Sequence, residues 1–183
     1  LSFVKKKGMR AYIVAKLPTL QCLKKLGYDE HNMLQLITGY DIIAPMAEEM
    51  NVSMYEYYKN AAFHHIEDLE LAGQIIKDMW PEFVPSYKEY MDNTKMYPCN
   101  IFIMKKELFF DYCTWLFGIL AEYDKRRGES GYTGQEARVN GYLAERLFGV
   151  YYTWLKKNKN IKSNELQRVD FQMDSAAYLK RKI

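Results

Sequence analysis

The run "CNIFIMKK" at 99–106 is short, apolar and partly β-branched, and it passes without a turn signal into a helical pattern over 107–126. A buried strand that feeds straight into a long helix is the grammar of an α/β fold, since the strand has to be covered by the helix that follows it. A second run of the same character, "YDIIAP" at 40–45, ends at proline and predicts another buried strand.

The rest of the chain reads mainly as helix. Asp29 caps a short helix with apolar Met33, Leu34, Leu36 and Ile37, which Gly39 closes. Ser53 caps "MYEYYKNAAF". The stretch 64–80 places Ile66, Leu69, Ala72, Ile76 and Met79 at helical spacing before Pro81, and a further helix covers 84–91. The segment 9–26 reads as helix, break at Pro18, helix. "RGESGYTG" is a loop, 135–157 a long helix, "LQRVDF" one late edge strand, and "SAAYLKRKI" a solvated basic end. A helix-rich α/β fold with a few short strands follows, and 183 residues of which 49% are hydrophobic suffice for one sizeable core.

A formal charge of +3 is too small to make nucleic acid the main partner. Cys22, Cys99 and Cys113 lack metal-ligand spacing, so they read as buried thiols in a reducing compartment, the cytoplasm. No zinc-protease, hydrolase or phosphate-loop motif is present.

The long helix carries the most informative polar pattern. Val139, Leu143, Leu147, Val150 and Trp154 share one side and predict the core face. Gln135, Arg138, Tyr142 and Glu145 form a separate stripe bordered by Gly141 and Gly149, where a ligand or another backbone could come close. A solvated helix face produces the same pattern. His64 and His65 stand at a helix start beside Glu67 and Asp68, and vicinal histidines point to different faces, which disfavours joint ligation of one metal.

"YDIIAP", "HHIEDLELAGQIIKDMWPEF", "MYPCNIFIMKKELFFDYCTWLFGILAEYDKR" and "ARVNGYLAERLFGVYYTW", in that order over 39–154, resemble the second half of a bacterial glycosyltransferase family that makes capsular polysaccharides and exopolysaccharides. That family, long catalogued as a domain of unknown function, carries a "HYRRY" motif at the end of its first half, and "LSFVKKKG" resembles the residues that follow it. The resemblance implies a GT-A-like α/β domain, with 1–160 as its C-terminal part and 161–183 as late edge strand and tail. It implies that the nucleotide-binding half is missing, which would leave a hydrophobic sheet edge open to a homodimer or another partner. It also implies a nucleotide-sugar donor, a saccharide or lipid-linked acceptor, a divalent cation such as Mg or Mn held with the donor, and work at the inner face of the membrane.

Carried onto this chain, the resemblance makes Glu145 the base that deprotonates the acceptor hydroxyl. Arg138 would stabilise the departing diphosphate. Asn100 and Tyr97 would bind sugar hydroxyls, His64 or His65 would face the cleft, and Gln135 and Tyr142 would help to bind donor or acceptor. The competing reading is a helix-rich interaction module without chemistry, which would scatter these residues.

Overall fold

The computed structural model describes residues 12–15 and 18–171. In chain order the elements are β1 (Tyr12–Ala15), α1 (Leu20–Leu26), α2 (Glu30–Gly39), β2 (Ile42–Pro45), β3 (Glu48–Glu49), α3 (Met54–Asn60), α4 (Ile66–Met79), α5 (Val84–Asp92), β4 (Lys95–Met96), β5 (Ile103–Met104), α6 (Lys106–Arg127), α7 (Val139–Asn158), β6 (Ser163–Leu166) and β7 (Arg168–Phe171). Helices dominate, and the α/β class expected from the sequence holds.

Local chemistry sets the helix starts. The Asp29 side chain accepts from the Asn32 amide and the Ser53 hydroxyl from the Glu56 amide, each satisfying a donor that the first helical turn leaves unpaired. The Thr19 hydroxyl does the same for α1, which ends at Gly27 with φ 78°.

Three small sheets sit against the helices. β2 is central in one of them, parallel to β6 through Ile42–Ser163 to Pro45–Leu166 and antiparallel to β5. All four residues of β2 are buried, the signature of a strand covered on both faces. β1 lies parallel to β7, and β3 pairs antiparallel with β4.

Several sequence expectations need correction. The first part of 9–26 is strand where it is described: Tyr-Ile-Val-Ala alternates in exposure and pairs with β7, a long-range partnership that outweighs local helical spacing. Only Ile103–Met104 of "CNIFIMKK" is strand, and α3 stops at Asn60. The helix expected over 135–157 opens as a 3₁₀ turn at Glu136–Arg138. "LQRVDF" contributes to two strands that break at Gln167. Met79 is exposed, Cys99 is exposed, and Cys22 and Cys113 are half-buried free thiols. "SAAYLKRKI" and residues 9–11 lie outside the described residues.

The main core gathers α3 to α7. Leu143, Leu147 and Val150 of α7 are fully buried, as the helical spacing predicts. Phe148 stacks on Phe102 and Tyr152, and Tyr151 packs against Phe83, Tyr112 and Trp115. The two glycines of α7 have opposite roles. A Cβ on Gly149 would stand 2.0 Å from Cζ of the fully buried Tyr90 ring, so this glycine lets α5 approach α7. Gly149 therefore serves helix packing and not the ligand stripe. A Cβ on Gly141 would meet nothing within 4 Å. Gly149→Ala should accordingly lose stability, at the upper end of roughly 1–3 kcal/mol for overpacking. Gly141→Ala should gain up to about 1 kcal/mol from helix propensity. Denaturant midpoints check both, and a neutral Gly149→Ala would refute the packing role.

Candidate functional site

The front of α7 is held in place by a buried acid on another helix. Asp68 of α4 is 3% exposed and accepts from the Tyr123 hydroxyl at 2.7 Å, Arg127 Nε at 2.8 Å and the Tyr132 hydroxyl at 3.1 Å. The Arg127 guanidinium lies 3.9 Å from the Tyr132 ring centroid, and Tyr132 stacks on His65 at 4.5 Å. His65 Nε2 is 3.2 Å from Glu136 Oε1. Asp68 thus pins the glycine-containing loop at 128–134 onto the helices and fixes where α7 begins. Burial, with the Asp68 charge beside it, pushes the Tyr123 phenol well above its ordinary range, keeping it a donor.

On this anchored start, four of the sequence-predicted residues converge. Arg138 Nη1 donates to Gln135 Oε1 at 3.1 Å, and the Tyr142 hydroxyl donates to the Gln135 carbonyl at 3.1 Å. The Arg138 guanidinium sits 5.6 Å from the Tyr142 ring centroid, and His64 stacks on Tyr142 at 4.0 Å. His64 Nδ1 lies 2.8 Å from the Ala62 carbonyl, which can only accept, so the proton resides on Nδ1. Burial lowers the His64 pKa, so the ring is neutral and Nε2 keeps its lone pair.

Glu145 follows Tyr142 by three residues and borders the same face. Its side chain is 34% exposed and accepts from Arg146 Nη2 at 2.9 Å. Arg146 is buried at 3% exposure, lies 5.5 Å from the Tyr57 ring centroid, and leaves its Nε without a partner among the described residues. Glu145 therefore does two things at once: it balances a buried cation and presents a partly open carboxylate. Its charge is felt at His64 and also at Cys99, whose thiol burial raises.

Cys99 and Asn100, with Phe63 at φ 64°, are the non-glycine residues with left-handed backbone among the described residues. Cys99 and Asn100 stand at φ 70° and 46°, conformations that cost of order 1–3 kcal/mol each. Asn100 Oδ1 is buried with no hydrogen-bond partner among the described residues. Beside them, Arg168 lies 3.8 Å from Cys99 Sγ and pairs with Glu48 at 2.9 Å and Asp170 at 2.8 Å. Glu48 follows the carboxyl end of β2 and Arg168 follows that of β6, the region where open α/β sheets bind their ligands.

Two predicted residues lie elsewhere. Tyr97 is 5% exposed and lines a separate recess of about 560 Å³, where its hydroxyl donates to Glu165 at 2.7 Å and accepts from Lys156 at 3.0 Å. His65 belongs to the loop anchor. Sequence reading missed Asp68, Arg127, Tyr132, Arg146, Glu48 and Arg168, and its one available signal was a charged Asp68 set beside Leu69 and Ala72 on the core side of α4.

Among the described residues no three His, Cys, Asp or Glu side chains come together as a metal cage, and no helix is long and apolar enough to cross a membrane. A search among curated proteins finds no match. Among solved structures, the chain is similar to the apo form of WbbM, a bifunctional glycosyltransferase, with 28% identity and a TM-score of 0.82 over 93% of this chain. That match spans only 30% of the WbbM chain. The profile of one family covers residues 5–159, and the chain accordingly belongs to the family described as the domain of unknown function DUF4422.

Proposed function

We propose that the chain transfers a sugar from a nucleotide-sugar donor to a saccharide or lipid-linked acceptor in the building of a surface polysaccharide, as part of a GT-A-like domain. The observation that carries this reading is the likeness, at 28% identity over 93% of the chain, to a bifunctional glycosyltransferase. The strained Cys99–Asn100 turn beside the carboxyl ends of β2 and β6 supports it, because strain of this kind collects where ligands are clamped.

In this reading Glu145 takes the proton from the attacking acceptor hydroxyl, and Arg146 keeps its carboxylate oriented. Arg138 has one bond to Gln135 and further donors for a phosphate, which suits it to the departing diphosphate. Asn100, whose Oδ1 is covered and without a partner among the described residues, would meet a sugar hydroxyl once its turn opens, and neutral His64 would offer Nε2 as an acceptor. Among the described residues no three His, Cys, Asp or Glu side chains gather into a cage for a divalent cation. In the complete enzyme Arg138→Ala should weaken donor binding about tenfold and lower turnover, since a diphosphate contact exists before and during transfer. Calorimetry of that enzyme with nucleotide sugars reads the first effect, and unchanged donor affinity would remove Arg138 from the donor site.

The second reading, an interaction module without chemistry, draws on Phe109, Phe110 and Phe117, which α6 exposes at 41%, 55% and 60%. A panel of nucleotide sugars, given to the complete enzyme that contains this chain, decides between the two: release of free nucleoside diphosphate in the presence of acceptor is expected, and no turnover of any donor would favour the module. A homodimer through the β5 edge, where Ile101 and Ile103 are exposed, is part of the transferase reading, and light scattering tests it.

A further inference from the structure

All three tryptophans of the chain, Trp80, Trp115 and Trp154, line one recess of about 250 Å³ formed by the 3₁₀ turn at Pro81–Phe83, α6 and the end of α7. Trp154 is nine residues beyond Glu145 on α7, which at about 3.6 residues per turn and 1.5 Å per residue puts it roughly 14 Å away on the opposite side of the helix. The recess is therefore separate from the site described above. Phe83 stacks on Trp154 at 4.4 Å and on Trp115 at 4.8 Å, fixing both indoles. Asp111, Thr114 and Lys159 supply the polar part of the lining, with the Lys159 ammonium 5.4 Å from the Trp154 ring centroid. Trp115 is 3% exposed and its indole N–H has no hydrogen-bond partner among the described residues.

We infer that this recess is an accessory saccharide-binding site that holds a neutral sugar ring of the acceptor chain away from the point of transfer. A sugar ring presents an apolar C–H face to an indole and hydroxyls at its rim, and the recess matches both with the half-buried Trp80 and Trp154, seated on buried Trp115, and with one carboxylate, one hydroxyl and one ammonium. One acid and one base in the lining leave no net charge, which disfavours a phosphate or a strongly anionic ligand. The volume lies below the ~300–1,000 Å³ of drug-sized pockets, as suits a single ring. The inference rests on the transferase reading for its biological sense, although the binding itself is measured separately.

Because no tryptophan lies elsewhere, the indole N–H resonances of the ¹⁵N-labelled chain report on this recess alone. Titration with glucose, galactose, mannose, lactose and maltose should move the indole signals with at least one sugar. Exposed Asp111 can be changed without disturbing the core, and Asp111→Ala should weaken that binding by about tenfold, the loss of a charged hydrogen bond. Indole signals unmoved by every sugar, or moved equally in Asp111→Ala, would overturn the inference, as would movement by a proline-rich peptide alone. Donor turnover by the complete enzyme, measured with a panel of UDP-, GDP- and dTDP-sugars, separates the two ideas. Its absence alongside intact sugar binding would defeat the transferase reading and leave the recess standing.

Discussion

Glu145→Gln in the complete enzyme is expected to lower turnover by about 10²-fold or more while donor affinity stays near that of the wild type, the usual scale for loss of a general base. Glutamine keeps the length of the side chain and an oxygen that can still accept from Arg146 Nη2, but it cannot take a proton from an acceptor hydroxyl. The same change removes the negative charge beside a cation that is only 3% exposed, so a fall in the thermal midpoint should accompany it. The two effects separate cleanly, since initial rates at low temperature report chemistry and melting reports the ion pair. Near-normal turnover with a lowered midpoint would exclude Glu145 as the base and leave it as the counter-ion of Arg146.

Asp68→Asn should cost about 3 kcal/mol of stability, the low end for breaking a buried pair, because Arg127 is 17% exposed and water replaces part of what is lost. Asparagine would present one carbonyl oxygen to the three donors of Tyr123, Arg127 and Tyr132, and it would leave the Arg127 guanidinium, which cannot accept from the amide, without its counter-charge. Against a total of ~5–15 kcal/mol for a domain, such a loss is visible directly in urea. The loop at 128–134 should also become open to protease, since its anchor is gone. A change below about 1 kcal/mol with the loop still protected would show that the network is not what holds the start of α7.

What the sequence revealed, it revealed where the cause was local. Asp29 and Ser53 cap the helices they precede, "YDIIAP" is a buried strand, and Leu143, Leu147 and Val150 face the core, because capping and periodicity need only neighbouring residues. Tyr12–Ala15 was misread because its partner, β7, lies at the other end of the chain. The Asp68 anchor joins α4, α6 and a loop, and no window of sequence contains all three. The Cys99–Asn100 turn is equally hidden, since neither residue is the glycine that normally announces a left-handed backbone. Gly149 did signal a close approach, but the incoming group is the Tyr90 ring. Of the candidate site, Gln135, Arg138, Tyr142 and Glu145 are legible as one stripe because they share one stretch of chain, whereas the stacking of His64 on Tyr142 joins residues 78 apart in sequence.

The pairing of β1 with β7 and of β2 with β6 also dictates an order of assembly. The Tyr28 hydroxyl bonds to the Gln167 carbonyl 139 residues away, and the Lys162 amide donates to Asp41 across 121 residues, so these contacts close loops that span most of the chain. The helices from α3 to α7 contact neighbours much nearer in sequence and can collapse around Leu69, Tyr90, Ile119 and Leu147 first. During synthesis, β1 leaves the ribosome early and waits, unpaired, until β7 is made, while β2 can pair with β5 but lacks its second partner until β6 follows. The sheet whose carboxyl ends carry Glu48, Arg168 and the Cys99–Asn100 turn is thus the last part to be completed, and a chain halted before residue 163 would hold a helical core with β2 flanked on one side alone.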